Sequence, residues 1–193
     1  MKRIILLIAF FVAAISNANA QKGLVAGANA PAFSGTDQNG KKISLQALLK
    51  EHKSVVLFFY RGQWCPYCNK HIKELQDSLQ LLTDKNAYVI GVTPETNENI
   101  AKTIKKTSAG FSIIQDKDDD IMKAYGVNFM MDDATFSKYK SYGIDLDANN
   151  GNTRHTLPVP ATYIINRSGK IKFVHFDPDY KKRASISTLI SNL

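Results

Sequence analysis

The order of apolar and polar positions divides the chain into strands and helices that alternate. Residues 55–60 form an unbroken apolar run, the pattern of a central strand that is buried on both faces. The next segment has apolar residues at helical spacing, with charged residues between them. The apolar positions of this segment are Ile72, Leu75, Leu79 and Leu82. The pattern therefore predicts a strand, a tight turn and a helix.

The same alternation continues through the middle of the chain. Strands are predicted over residues 87–92 and 111–114. A helix begins between them, with Thr96 as its N-cap, and a further helix over residues 118–125 ends at Gly126. This order of elements predicts an α/β fold.

Further secondary structure is predicted towards both ends of the chain, whereas one internal stretch has no clear helix or strand pattern. The elements predicted at the ends are a hairpin with an Asn39-Gly40 turn, a short helix over 44–49, strands over 161–165 and 171–176, and a final helix over 184–193. Residues 128–157 are polar, with only brief apolar patches. We interpret them as an insertion into the fold.

Composition and charge narrow the class of protein. With 193 residues, 44% of them hydrophobic and 22% charged, the chain is of one-domain size and is not a disordered tail. The formal net charge is +8, which raises the question of a nucleic-acid partner. The basic residues of the later chain are scattered, however, apart from residues 105–106 and 181–183. This distribution favours a solvated surface and no nucleic-acid partner.

The first twenty residues have the pattern of a secretory signal peptide. Lys2 and Arg3 precede an apolar run over residues 4–15, and a small-x-small pattern ends at Ala20. The run is shorter than the roughly 20 residues that a membrane-spanning helix needs. We therefore predict cleavage after Ala20, a domain over residues 21–193 without stable membrane insertion, and a periplasmic or extracellular location. Disulfides persist in such compartments.

The strongest chemical signal is the Cys65-Pro66-Tyr67-Cys68 motif, placed where the predicted central strand turns into its helix. A C-x-x-C motif in a βα unit is a redox signature. The helix N-terminus favours a thiolate on Cys65, which is the predicted nucleophile with a lowered pKa. Cys68, one helical turn later, is placed to attack a mixed disulfide or sulfenic acid on Cys65. Pro66 at the first helical position loses no hydrogen bond.

Two other interpretations of the cysteine pair remain open at this stage. The first is a zinc or copper site. Its ligands would be the two thiols, His71 and either His155 or His175. A purely structural disulfide is the other alternative. Haem attachment is excluded, because it needs a histidine directly after the second cysteine.

Residues 58–68 (FFYRGQWCPYC) are similar to the active-site stretch of the peroxiredoxin-like branch of the AhpC/TSA (redoxin) family, in the thioredoxin superfamily. This segment is the most specific part of the resemblance. Residues 30–33 and 39–41 resemble the opening of such domains, residues 157–166 a cis-proline strand, and residues 177–183 the ending of the branch. The resemblance covers about residues 25 to 193.

The resemblance implies a thioredoxin fold: a central mixed sheet flanked by helices, an N-terminal hairpin, and the insertion before the cis-proline strand. It implies that Pro160 follows a cis peptide bond and that the Val159 backbone faces a bound thiol or peptide. The implied function is an antioxidant oxidoreductase without a cofactor, which reduces peroxides through Cys65 with Cys68 as the resolving cysteine. An external thiol donor of the thioredoxin type would re-reduce the pair.

The chain departs from the peroxiredoxin pattern near the nucleophile. Phe58 and Gly62 stand where that family carries proline and threonine, and Pro160 stands where its arginine is expected. Arg61 is the candidate replacement, placed to lower the thiol pKa and to donate to a bound peroxide. Trp64 would shield the thiolate, offer a stacking surface or simply pack.

These departures leave alternative functions open. The first is exchange with protein disulfides. The second, from a different class, is a metal-binding module on the same fold.

Overall fold

The computed structural model describes residues 22–193, so the predicted signal peptide lies outside the described residues. The strands are β1 (Ser34–Thr36), β2 (Lys42–Ser44), β3 (Ser54–Phe59), β4 (Ala87–Thr93), β5 (Ser112–Gln115), β6 (Asn128–Met130), β7 (Thr156–Pro158), β8 (Ala161–Asn166) and β9 (Ile171–Phe176). The helices are α1 (Leu45–Glu51), α2 (Pro66–Asp77), α3 (Leu79–Thr83), α4 (Asn97–Thr107), α5 (Asp120–Ala124), α6 (Asp133–Ser141), α7 (Leu146–Asn150) and α8 (Ile186–Ser191).

The centre of the fold is a five-stranded mixed sheet in the order β5-β4-β3-β8-β9. Strands β3, β4 and β5 run parallel, whereas β8 pairs antiparallel with β3 and β9 antiparallel with β8. The β1-β2 pair forms the predicted N-terminal hairpin. The predicted α/β thioredoxin-type architecture, with helices around a mixed sheet, is confirmed.

Strand β3 separates two apolar cores, as its unbroken apolar sequence predicts. Val55, Leu57 and Phe59 pack on one face with residues of α1 and α5. Val56 and Phe58 pack on the other face with residues of α2, α4 and α8. Every residue of β3 is buried, so the strand supports the turn that follows it from both sides.

Helix boundaries differ from the predicted ones where capping and turn geometry intervene. Thr96 is the N-cap of α4, as predicted, and its side chain accepts the Asn99 N–H. The long helix predicted after β3 is two helices, α2 and α3, which meet at Ser78. Among residues 22–193, no helix combines the length and the apolar character needed to cross a bilayer.

The predicted insertion is an ordered unit rather than a polar loop. It comprises β6, α6, α7 and β7, and β6 pairs antiparallel with β7. Its small apolar core consists of Met131, Leu146 and Leu157, and Trp64 from the motif region packs against it. The sparse apolar residues suffice because part of this core comes from outside the insertion.

The cis peptide bond predicted before Pro160 is wrong, because every peptide bond within residues 22–193 is trans. The preceding strand is held in an extended path by its pairing with β6, and Val159 N–H donates to the Val127 carbonyl at 2.7 Å. This N–H is therefore engaged inside the fold. Val159 and Pro160 are both buried at the junction of β7 and β8.

Candidate active site

The two cysteines lie where the central strand turns into α2, as predicted. Cys65 is the N-cap of α2, Pro66 occupies the first turn, and the Cys65 sulfur accepts the Cys68 N–H at 3.3 Å. Both thiols are free and almost fully buried. Their Sγ atoms are 2.7 Å apart, in hydrogen-bond contact. Two-electron oxidation by a substrate can therefore join them as a disulfide without a large movement of either residue.

A cation that the sequence analysis did not single out lies beside the pair. Arg183 donates from Nη2 to Cys68 Sγ at 3.6 Å, across 115 residues of chain. It precedes α8, and its other amino group donates to the carbonyls of Tyr180 and Lys182. The guanidinium is therefore held in place beside the sulfur.

The pKa values of the two thiols differ from the prediction, which considered Cys65 without its contact to Cys68. Burial opposes ionisation of Cys68, but the hydrogen bond from Cys65 and the charge of Arg183 lower the pKa of Cys68 to about 6. The pKa of Cys65 is raised by its hydrogen bond to Cys68 and by burial. The predicted lowering of the Cys65 pKa is thus wrong for the reduced pair. The first proton leaves the pair readily, and the remaining proton lies between two sulfurs 2.7 Å apart.

The guanidinium of Arg61 contacts aromatic side chains instead of serving as the cation at the thiols. Its Cζ lies 4.5 Å from the Tyr180 ring centroid and 5.3 Å from that of Phe129, and Nη1 donates to the Tyr139 hydroxyl at 3.4 Å. The sequence predicts that the charge of Arg61 lowers the thiol pKa. In the structure, the charge of Arg183 has this effect. The backbone of Arg61 nevertheless contributes to the lowered pKa of Cys68.

Trp64 joins the motif to the insertion. Its ring meets Tyr139 edge to face, with centroids 5.5 Å apart, and packs on the insertion core that contains Leu146 and Leu157. It also packs in the apolar cluster that holds both cysteines. The insertion therefore forms a wall against the loop before Cys65, whereas Val159 is not part of that cysteine cluster.

Gly62 stands at the position where the family pattern has threonine, and the structure shows why a larger residue does not fit. A Cβ at Gly62 would lie 2.5 Å from Trp64 Nε1 and 2.6 Å from Glu95 Oε1. Both contacts are far closer than real Cβ atoms approach their neighbours. The space of a threonine side chain is thus filled by an indole N–H and a carboxyl group.

Glu95 is the second residue that sequence reasoning missed. It follows β4 and precedes the N-cap of α4, and its side chain is fully buried. Oε1 accepts the Gln63 N–H at 2.8 Å, in the loop before Cys65. Burial raises the pKa of Glu95 to about 8, and the Cys68 thiolate adds to this effect. In the sequence, Glu95 and Thr96 have the pattern of an ordinary helix N-terminus. No local signal therefore identifies Glu95 as a buried residue of the site.

The metal-ligand alternative is not supported by the positions of its residues. His71 is buried in α2, whereas His155 stacks on Phe136 and lies 3.2 Å from Asp147 Oδ1 within the insertion. Within residues 22–193, no group of three or more histidine, cysteine or acidic side chains is arranged to hold a metal ion.

The sequence matches a family model over residues 26–174, the model of the AhpC/TSA family. Among curated proteins, it is 28% identical over 161 residues to a putative peroxiredoxin bcp of Helicobacter pylori, an alignment that covers 83% of this chain and 93% of that protein. It is 25% identical over 156 residues to the chloroplastic peroxiredoxin Q of Sedum lineare, which covers 79% of this chain and 71% of the relative.

Solved structures show the same fold. The crystal structure of peroxidoxin BcpB from Mycobacterium tuberculosis superposes with a TM-score of 0.66 at 17% identity, covering 86% of this chain and 94% of that chain. At this identity the likeness concerns the fold, and the thioredoxin-type architecture is what the two chains share.

Proposed function

Because the chain belongs to the AhpC/TSA family, we propose that it is a thiol-dependent peroxidase in which Cys65 reduces a peroxide and Cys68 resolves the product. Curated relatives named as peroxiredoxins indicate peroxidase activity of this kind. The observation that carries the proposal is the geometry of the thiol pair. The two sulfurs are 2.7 Å apart at the start of α2, with Arg183 beside one of them.

The proposed reaction has two steps. The Cys65 thiolate attacks one peroxide oxygen, the O–O bond breaks, and the other oxygen leaves as an alcohol or water after taking a proton. Cys65 is then a sulfenic acid. Cys68 attacks that sulfur, the S–S bond forms, the S–O bond breaks, and water leaves. The Cys65–Cys68 disulfide is the oxidised product.

The reaction starts from the ionised pair, which the structure favours at neutral pH. The lowered pKa of Cys68 provides one negative charge, and transfer of the single remaining proton across 2.7 Å places that charge on Cys65. The N-cap position then stabilises it, because the Cys68 N–H points at the Cys65 sulfur.

Turnover requires an external dithiol that reduces the disulfide, and a thioredoxin-type donor fits this chemistry. We further propose that the protein works outside the cytoplasm, after removal of residues 1–20. The supporting observation is the basic start, short apolar run and small-residue ending of those residues.

The test of this function is peroxide consumption by the protein from residue 21 onward, with dithiothreitol as reductant. We expect turnover in the wild type and none in Cys65→Ser. In a separate reaction without dithiothreitol, Cys68→Ser should consume about one equivalent of peroxide and retain a sulfenic acid that dimedone traps on Cys65.

The outcomes separate the candidate functions. Equal turnover in the wild type and Cys65→Ser would overturn the proposal. Fast exchange with a protein disulfide but no peroxide consumption would assign the protein to the thiol:disulfide oxidoreductases instead.

A further inference from the structure

The segment between β9 and α8, residues 177–185, brings Arg183 to the thiol pair, and Tyr180 lies in the middle of this segment. The Tyr180 carbonyl accepts a hydrogen bond from Nη1 of Arg183. Nη2 of the same guanidinium donates to Cys68 Sγ at 3.6 Å. The position of the Tyr180 backbone therefore helps to decide whether Arg183 reaches the sulfur.

The ring of Tyr180 is fastened to the active-site motif by two contacts. Arg61 Cζ lies 4.5 Å from the ring centroid. The ring of Tyr67 meets it edge to face, with the centroids 5.7 Å apart. Arg61 belongs to the loop that precedes Cys65, and Tyr67 stands between the two cysteines in the sequence. The segment that carries Arg183 is thus attached to the motif through Tyr180.

The burial of Arg61 strengthens one of these contacts. Its guanidinium is buried among the rings of Tyr180 and Phe129, and it donates to the Tyr139 hydroxyl at 3.4 Å. A cation binds an aromatic face more strongly where water is excluded than it does at an exposed site. Arg61 therefore holds the Tyr180 ring in place, although its own charge is not the cation that contacts the cysteines.

We propose that Tyr180 is a positioning residue, which holds Arg183 against Cys68 so that the reduced thiol pair carries the negative charge that the reaction needs. This inference rests on the cysteine roles proposed above and adds a residue to them. Tyr180 acts through Arg183. Without the ring, residues 177–183 lose their attachment to the motif, and the guanidinium can turn from the sulfur towards water.

The titratable groups around Cys68 and Arg183 come from several packed elements. They are Tyr60 at the end of β3, Cys65 and His71 in the α2 region, and Glu95 after β4. Burial raises the pKa of Tyr60 well above its ordinary value and that of Glu95 to about 8, and it lowers the pKa of His71 to about 3. These three groups are therefore mostly neutral at pH 7, and Arg183 is the charge that offsets the burial of the thiolate.

The test compares titrations of the reduced thiol pair, read as thiolate absorbance at 240 nm between pH 4.5 and 9. We expect Tyr180→Ala to raise the pKa of the pair by at least about 0.5 pH unit, which is about a threefold loss of thiolate stability. Tyr180→Phe keeps the ring and the backbone carbonyl, so it should titrate as the wild type does. An unchanged titration in Tyr180→Ala would overturn the inference.

A double variant separates a role through Arg183 from a direct effect of the ring. In Arg183→Met the cation is already absent, so adding Tyr180→Ala should move the pKa of the pair by less than about 0.2 pH unit. If the effects of the two substitutions add, Tyr180 does not act through Arg183, and the inference is wrong.

Lys181 provides the matched control. It is exposed, and its Nζ lies 6.0 Å from the centroid of the same ring. Lys181→Met removes a positive charge from the segment and leaves the ring, so the titration should not change. A shift as large as that of Tyr180→Ala would mean that the net charge of the segment, and not the position of Arg183, sets the pKa.

A second variant keeps the test valid if Tyr180→Ala does not fold, as judged by circular dichroism. Tyr180→Leu retains an apolar side chain but offers no aromatic face to Arg61, and it should raise the pKa of the pair in the same direction. A wild-type titration of a folded Tyr180→Leu would count against the inference. These titrations need no peroxide, so failure of the proposed peroxidase function is a separate outcome.

Discussion

Arg183 is the fixed positive charge beside the buried sulfur of Cys68, with Nη2 at 3.6 Å. Removal of this charge removes an interaction that favours the thiolate. We expect Arg183→Met to raise the pKa of the thiol pair by about one pH unit, equivalent to about 1.4 kcal/mol. Thiolate absorbance at 240 nm, recorded against pH, measures the change.

Arg167 provides the matched control for that measurement. It is exposed in the β8-β9 turn and donates to the His52 carbonyl, away from the cysteines. Arg167→Met should leave the titration unchanged. A titration of Arg183→Met that coincides with the wild type would show that the cation does not stabilise the thiolate.

Gly62 is needed for steric reasons that the structure makes explicit. A Cβ there would lie 2.5 Å from the rigid indole of Trp64 and 2.6 Å from the buried carboxyl of Glu95. We expect Gly62→Ala to lower the free energy of unfolding by about 2 kcal/mol, as overpacking does. At Gly110 a Cβ would find its first neighbour at an ordinary 3.5 Å. Urea denaturation of Gly110→Ala should therefore show a much smaller loss.

Equal losses of stability in the two alanine variants would contradict the steric account of Gly62. The same close contacts explain a departure from the family pattern. The position cannot take threonine while Trp64 and Glu95 fill the space.

The residues of the site divide into those with a local sequence signal and those without one. Cys65 and Cys68 were predictable because spacing and position on the helix decide their placement. The role of Arg183 was not predictable, because its contact with Cys68 spans 115 residues. The burial of Glu95 was not predictable either, because it results from the packing of the loop and α4 around the carboxyl group. Arg61 was identified, but its aromatic partners lie in distant segments.

At the scale of elements, α6 is one of the parts of the insertion that contact the loop before Cys65. Tyr139 of this helix meets Trp64 edge to face at 5.5 Å and bonds to Arg61. We expect Tyr139→Ala to cost about 1 kcal/mol of stability and to shift Trp64 emission to longer wavelength, because the indole gains exposure to water. Trp64 is the sole tryptophan, so steady-state fluorescence reads this contact alone.

Tyr142, the C-cap of α6, provides the comparison. It is 68% exposed. Tyr142→Ala should leave the emission maximum in place. An unshifted spectrum in Tyr139→Ala would mean that the insertion does not shield Trp64.

Elements with strong local signals were predictable, and the insertion was not. Helix α4 has a capping threonine and apolar residues at helical spacing, and β3 is a continuous apolar run. The insertion has short elements whose apolar core is completed by Trp64, which lies in a separate segment, 69 residues before α6 begins at Asp133. Periodicity within residues 128–157 therefore carried too little information. The trans bond before Pro160 likewise has no local signal in the sequence that distinguishes it from a cis bond.

For the whole molecule, one buried histidine links stability to pH. His71 is buried in α2, and among residues 22–193 neither ring nitrogen has a hydrogen-bond partner. Burial, with the charges of Arg183 and His175, lowers the pKa of His71 to about 3 from 6.5. Between these pH values the unfolded chain binds a proton that the folded chain does not. Stability therefore falls as the pH drops from 6.5 towards 3.

We expect His71→Leu to remove this acid sensitivity. Relative to the variant, the wild type should lose about 1.4 kcal/mol per pH unit between pH 6 and 4. Urea denaturation at several pH values measures the difference, with both proteins compared to their own value at pH 7.5. Parallel curves for the two proteins would show that His71 is protonated in the folded state.

The proposed sequence of events, in which Cys65 reacts with a peroxide before Cys68, can be followed in time. The reduced protein is mixed with one equivalent of hydrogen peroxide, and Trp64 fluorescence is recorded in a stopped-flow instrument. We expect two phases: a first that Cys65→Ser abolishes, and a second that Cys68→Ser abolishes, with one disulfide formed per peroxide. A single slow phase that is the same in all three proteins would contradict it.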